Sequence, residues 1–89
     1  MEQHLRIRQG MQPSFGGVLV GIVKIGVVGG APAIQVWIRT AEHEFKQAFR
    51  EGESVALPGA GTLRFDAIRP ADDPQQASAD LAFAEDPGT

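Results

Sequence analysis

Few side chains in this sequence could do covalent chemistry. Cysteine is absent, which removes thiol nucleophiles, disulfides, zinc–thiolate sites and iron–sulfur clusters together. The hydroxyls are Ser14, Thr40, Ser54, Thr62, Ser78 and Thr89, and the imidazoles are His4 and His43. Acyl transfer of the Ser-His-Asp kind needs a nucleophile held against a base and the base held against an acid. No hydroxyl here lies in a Gly-x-Ser-x-Gly elbow, so no catalytic residue is assigned. His43-Glu44 begins like the zinc motif His-Glu-x-x-His, but Gln47 stands where the second histidine should be. Asp72-Asp73 lacks the alternating acids and distal glutamate of a calcium loop. Gly16-Gly17, Gly29-Gly30 and Gly59-Ala60-Gly61 lack both the Lys-Ser/Thr of a phosphate loop and dinucleotide-fold spacing, so they read as turns. Neither a metal nor a cofactor is implied. Glu42, His43 and Glu44 could do acid–base work only if an apolar pocket shifted the pKa of one of them.

The elements that would position such groups must fit into 89 residues, which is one domain. A chain this short buries only about 60% of its extended surface and is marginal unless it associates. With 43% hydrophobic and 21% charged residues it is globular. Residues 1–40 hold four cations against one acid, and residues 41–89 hold four cations against ten acids. Four scattered cations with few aromatics between them make no nucleic-acid surface. The run Phe15 to Val28 is interrupted by Lys24 and four glycines and is too short to cross a bilayer, so no membrane partner is expected. The first residues lack the pattern of a secretory signal, which makes the cytoplasm the expected compartment.

His4-Leu-Arg-Ile-Arg8 alternates strictly, putting Leu5 and Ile7 on one face, as in a half-buried strand. Val18 to Val28 is rich in β-branched residues and apolar on both parities: Val18, Val20 and Ile22 on one, Leu19, Val23, Ile25 and Val27 on the other. A single solvated face is excluded here unless the register shifts near Gly21 or Gly26. Gly29-Gly30-Ala31-Pro32 turns the chain into Ala33 to Thr40, where Ile34, Val36 and Ile38 oppose Gln35, Trp37 and Arg39. Trp37 therefore points away from the aliphatic core, either under a loop or into a contact surface.

Residues 41–50 admit two readings. Thr40 could cap a helix whose Glu42/Lys46 and Phe45/Phe49 pairs fall at i,i+4. Phe45 and Phe49 also share strand parity, and Glu51-Gly52-Glu53 looks like a turn between strands. The strand is preferred, with a short helix near 41–50 as the alternative. Ser54 to Leu57, Thr62 to Ile68 and a last segment through Leu81 and Phe83 complete the pattern, with a parity break at Ala67-Ile68 that marks a bulge. No internal repeat or low-complexity segment is read. The expectation is an all-β, antiparallel six- or seven-stranded barrel or sandwich over residues 1–84, followed by a frayed C-terminal tail at 85–89. Closure into a barrel is preferred because it removes sheet edges.

Two functions follow from this layout. In the first, the outer parity Leu19, Val23, Ile25 and Val27 is covered by a second copy, making a non-catalytic homodimeric binding or accessory module. In the second, Trp37, Phe45, Phe49 and Phe65 line one cavity with His43 or a carboxylate pointing in, giving a barrel that binds an apolar small molecule and shapes or cyclises it. An inhibitor that uses the acidic second half against a basic partner is a third. The segments His4-Leu-Arg-Ile-Arg-Gln-Gly10 and Arg50-Glu-Gly-Glu-Ser-Val-Ala-Leu-Pro-Gly-Ala-Gly-Thr-Leu-Arg-Phe-Asp-Ala-Ile68 resemble small uncharacterised all-β proteins of high-GC bacteria. That resemblance implies a small barrel and assigns no catalytic residue.

Overall fold

A computed structural model describes residues 2–85. It contains eight strands and, among the described residues, no helix: β1 (Glu2–Arg8), β2 (Ser14–Phe15), β3 (Val18–Val28), β4 (Ala31–Arg39), β5 (Glu44–Arg50), β6 (Ser54–Leu57), β7 (Gly61–Arg69) and β8 (Ser78–Glu85). They form two antiparallel four-stranded sheets, ordered β1-β8-β7-β6 and β2-β3-β4-β5. The fold is all-β, as the alternation implied, but the strands make two facing sheets and not one closed barrel. Open edges are tolerated because β1 and β5, each an edge, carry alternating charges that discourage further pairing: Glu2, His4 and Arg6 on one, Glu44 and Lys46 on the other. The extra strand, β2, is only two residues long.

The core lies between the sheets. Ile7, Leu57, Leu63, Phe65, Leu81 and Phe83 from the first meet Phe15, Val18, Val20, Ile22, Ile34, Val36, Ile38 and Phe49 from the second. Phe49 and Phe65 stack across the gap at 4.5 Å between ring centroids, and Phe15 and Phe83 at 5.5 Å. No polar or charged side chain is buried among the described residues, so packing alone holds the layers together.

Residues 44–50 are a strand, which corrects the helical alternative. Thr40 does accept backbone hydrogen bonds, from the amides of Glu42 at 3.3 Å and His43 at 3.0 Å. Those bonds close a tight turn between β4 and β5, which the amide of Thr40 completes by donating to the His43 carbonyl at 2.8 Å. Phe49 can enter the core only with strand parity, and that burial outweighs the helical spacing. Glu85, expected in the tail, is the last residue of β8 and pairs with Gly61. Residues 86–89 lie outside the described residues.

The topology contains a repeat that the residue pattern barely shows. Replacing β1, β2, β3 and β4 by β5, β6, β7 and β8 turns one sheet order into the other. Each half places its first strand in one sheet and its next three in the opposite one, so the halves interlock through β1–β8 and β4–β5. The hydrogen bonds repeat as well. Gly10 donates to the Ile22 carbonyl at 2.9 Å and Gly52 to the Phe65 carbonyl at 2.7 Å, while Met11 donates to Arg8 and Glu53 to Arg50, both at 3.1 Å. Gly10 and Gly52 hold φ of 89° and 86°, a left-handed conformation that glycine adopts at little cost. Arg8-Gln9-Gly10 and Arg50-Glu51-Gly52 are the residues that perform this crossover between sheets.

Candidate functional site

Each half carries one bulge, and the bulges determine which side chains reach the surface. In β3 the register shifts between Ile22 and Lys24, leaving Val23 without a partner. In β7 it shifts between Phe65 and Ala67, leaving Asp66 without one. The second is the parity break visible at Ala67-Ile68. The amide two residues beyond each bulge is taken up by the crossover residue of its own half: Ile25 donates to Gln9 Oε1 at 3.1 Å, and Ile68 to Glu51 Oε2 at 2.8 Å.

The β3 bulge revises the proposed interface. Alternation put Leu19, Val23, Ile25 and Val27 on one outer face. The extra residue at Val23 turns Ile25 inward, where it is 5% exposed and part of the core. Val23 stays outside at 40%, Leu19 is half-buried, and Val27 and Val28 are both bare, at 61% and 59%.

Two exposed valines side by side on a strand require that neither face is covered there. Pairing of β4 with β5 ends at Ala33 opposite Arg50. On the far side of β3 the last backbone bond is at Ile22, and only the Gln9 side chain reaches Ile25. Val27–Val28 and Ala31–Pro32 therefore pair only with each other, a two-stranded ribbon closed by Gly29-Gly30. Arg50 steadies one side by donating from Nη1 to the Val28 carbonyl at 3.0 Å. No charged residue occurs between Lys24 and Arg39. A groove of about 320 Å³ runs beside the ribbon, lined by Val27, Val28, Ala33, Gln35 and Ala48 with Lys24 at its rim.

The aromatic residues proposed to share a ligand cavity do not converge. Phe49 and Phe65 meet, but inside the core and against each other. Phe45 is half-buried at the core's margin. His43 is exposed in the β4–β5 turn. Trp37 is on the outer face of its sheet, opposite Gly21, where a β-carbon would sit 3.2 Å from Trp37 Cε3. Glycine at 21 thus lets the indole lie flat on the sheet. The indole Nε1 donates to Glu44 Oε2 at 2.8 Å, and the Arg39 guanidinium stands 4.9 Å from the ring centroid. The ring is pinned by the sheet, an acid and a cation.

The outer face of the other sheet is closed by ion pairs. Arg64 joins Glu2, at 3.0 Å, to Asp66, and Glu2 also meets His4 at 3.0 Å. Asp80 sits between Arg69, at 2.7 Å, and Arg6, at 3.0 Å. The hydrogen bond from Arg69, reinforced by Arg6, pulls the Asp80 carboxyl down to about 2, and Arg64 likewise lowers that of Asp66. Asp66 and Asp80 are each engaged with arginine and kept ionised, which suits a charged lattice and not proton transfer. Among the described residues no three histidine, aspartate or glutamate side chains gather closely enough to hold a metal ion, and no helix is long and apolar enough to cross a membrane.

Sequence reasoning missed Val28 and Pro32. Their signal was the uncharged run around Gly29-Gly30, which read only as a turn. No family model, curated protein or solved structure matches the chain.

Proposed function

We propose that this is a non-catalytic, cytoplasmic accessory module that works as a homodimer, pairing through the β3–β4 ribbon. The observation that carries the reading is the exposure of Val27 and Val28 on two faces of an uncharged ribbon flanked by no other strand. Of the sheet edges, β1 and β5 carry charges and β2 and β6 are only two and four residues long, whereas the ribbon is both uncharged and extended. A two-fold axis would set each ribbon beside the groove of the other copy, burying the same residues from both chains. The ribbon is small, so the association belongs to the weak, reversible class.

Light scattering or native mass spectrometry across micromolar to millimolar protein tests this. The wild type is expected to pass from monomer to dimer, and the double variant Val27→Lys/Val28→Lys to stay monomeric with its unfolding temperature unchanged. A wild type that stays monomeric throughout, or a double variant that dimerises equally well, contradicts the reading.

A further inference from the structure

The repeated topology carries a consequence that does not depend on the ribbon. Everything that joins the two halves, the β1–β8 and β4–β5 ladders and the core between the sheets, is an interface between residues 2–39 and residues 44–85. Only the turn at 40–43 links them covalently. That turn sits at the end of the β4–β5 ladder, where Arg39 pairs with Glu44; at the corresponding end of the β1–β8 ladder Ala84 pairs with Glu2. The β1–β8 ladder is thus held by strand pairing, with no turn between its two strands.

We infer that the chain is a duplicated four-strand unit whose halves can be exchanged with a second copy, residues 2–39 of one chain completing the sandwich with residues 44–85 of another. The partner is a second copy of this chain, and the surface is the inter-half interface itself. Chemical complementarity is complete because the exchanged contacts are those already made within one chain. What must change is the turn, where the Thr40 hydroxyl gives up the amides of Glu42 and His43 and the Thr40 amide gives up the His43 carbonyl so that β4 and β5 can part. Both ladders must open for exchange, so the exchanged dimer forms on refolding and does not dissociate on dilution, unlike a ribbon contact.

The test uses full-length chains carrying Val27→Lys/Val28→Lys, so that ribbon pairing cannot contribute. Val36→Asp spoils the first half and Leu81→Asp the second; both positions are fully buried, and each variant alone is expected to unfold, since an unpaired buried charge is not tolerated. Refolded together from denaturant, they should yield a one-to-one heterodimer with about half the strand signal of the wild type, because one of its two sandwiches is built from intact halves. A mixture that gains no folded heterodimer over the separate variants overturns the proposal. A second chain lacking Thr40 to His43, in which Arg39 joins Glu44 directly and no residue is left to reverse between β4 and β5, is expected to fold as a dilution-resistant dimer. A folded monomer, or a chain with no strand signal, would overturn it equally. Failure of these arms leaves ribbon dimerisation by the protein without the Val27→Lys/Val28→Lys substitutions untouched.

Discussion

The two halves solve one backbone problem with different side chains. Each sheet bends at a bulge, and in each the crossover residue accepts the amide two positions beyond it: Gln9 for Ile25 and Glu51 for Ile68. In the second half the bulged residue is Asp66, bound by Arg64, and the surrounding face is a lattice of ion pairs. In the first half the bulged residue is Val23, and the strand runs on into a bare apolar ribbon. The fold needs the bulge and its plug; it does not need the valines. Where β7 ends at Arg69 the chain enters a polar loop carrying Asp72 and Asp73, whereas β3 runs on to Val28 and reverses in two residues. The departure from symmetry therefore singles out the ribbon as the part free to serve an external contact.

Equivalent core positions should break the comparison hardest. Phe65 and Ile22 occupy matching sites before the two bulges and both are buried. Phe65→Ala removes a ring stacked on Phe49 and is expected to cost about 3–5 kcal/mol, against about 2–4 for Ile22→Ala, read from denaturant midpoints. Equal costs would mean that the stacking adds nothing. The plugs come next. Glu51→Ala strands the Ile68 amide opposite a lost carboxylate and should cost about 1.5–3 kcal/mol, whereas Gln9→Ala loses a neutral acceptor worth about 0.5–1.5. A larger loss at Gln9 would reverse the ranking of charged over neutral acceptors.

The smallest effect concerns pH. Asp80 is held at about 2 by Arg69 and Arg6, below its unfolded value. Its contribution is therefore full above about pH 4 and is lost as the pH falls toward 2. Asp80→Asn should flatten that part of the acid limb while lowering neutral stability by less than about 1 kcal/mol, since the pairs are largely solvated. Substituting Gln35, on the outer face of the other sheet, should leave the acid limb unchanged. A wild-type acid limb identical to that of Asp80→Asn would show that the lattice does not act on stability.

Much of the fold was legible. Strict alternation marked His4–Arg8 and Ala33–Thr40, and the phase change after Asp66 marked the second bulge because Arg64 and Asp66 label the solvent side. The first bulge could be placed only near Gly21 and Gly26, since valine and isoleucine fill both parities of β3 and Lys24 alone records an outward direction. That is why Ile25 was read onto the wrong face. Residues 41–50 were ambiguous because Thr40 accepts the same amide bonds at a turn as at a helix start, and only the long-range stacking of Phe49 on Phe65 decides between them. The duplication left a faint trace in the sequence, Ile7-Arg-Gln-Gly10 against Phe49-Arg-Glu-Gly52, because what the halves share is backbone pairing, which many side chains satisfy. Trp37, Phe45, Phe49 and Phe65 could not be sorted between cavity, core and surface without knowing that the strands form two sheets.

The uncharged ribbon at the end of β3 and β4 is proposed to be covered by a second copy. Hydrogen exchange of the backbone amides of Gly26 to Ala31 and of Ala33, measured on dilute and concentrated protein, reports whether it is covered. Protection of these amides is expected to rise with concentration, and that rise to be lost in Val27→Lys/Val28→Lys, while the core strands exchange identically in every sample. Ribbon amides that exchange at one rate at all concentrations would contradict it.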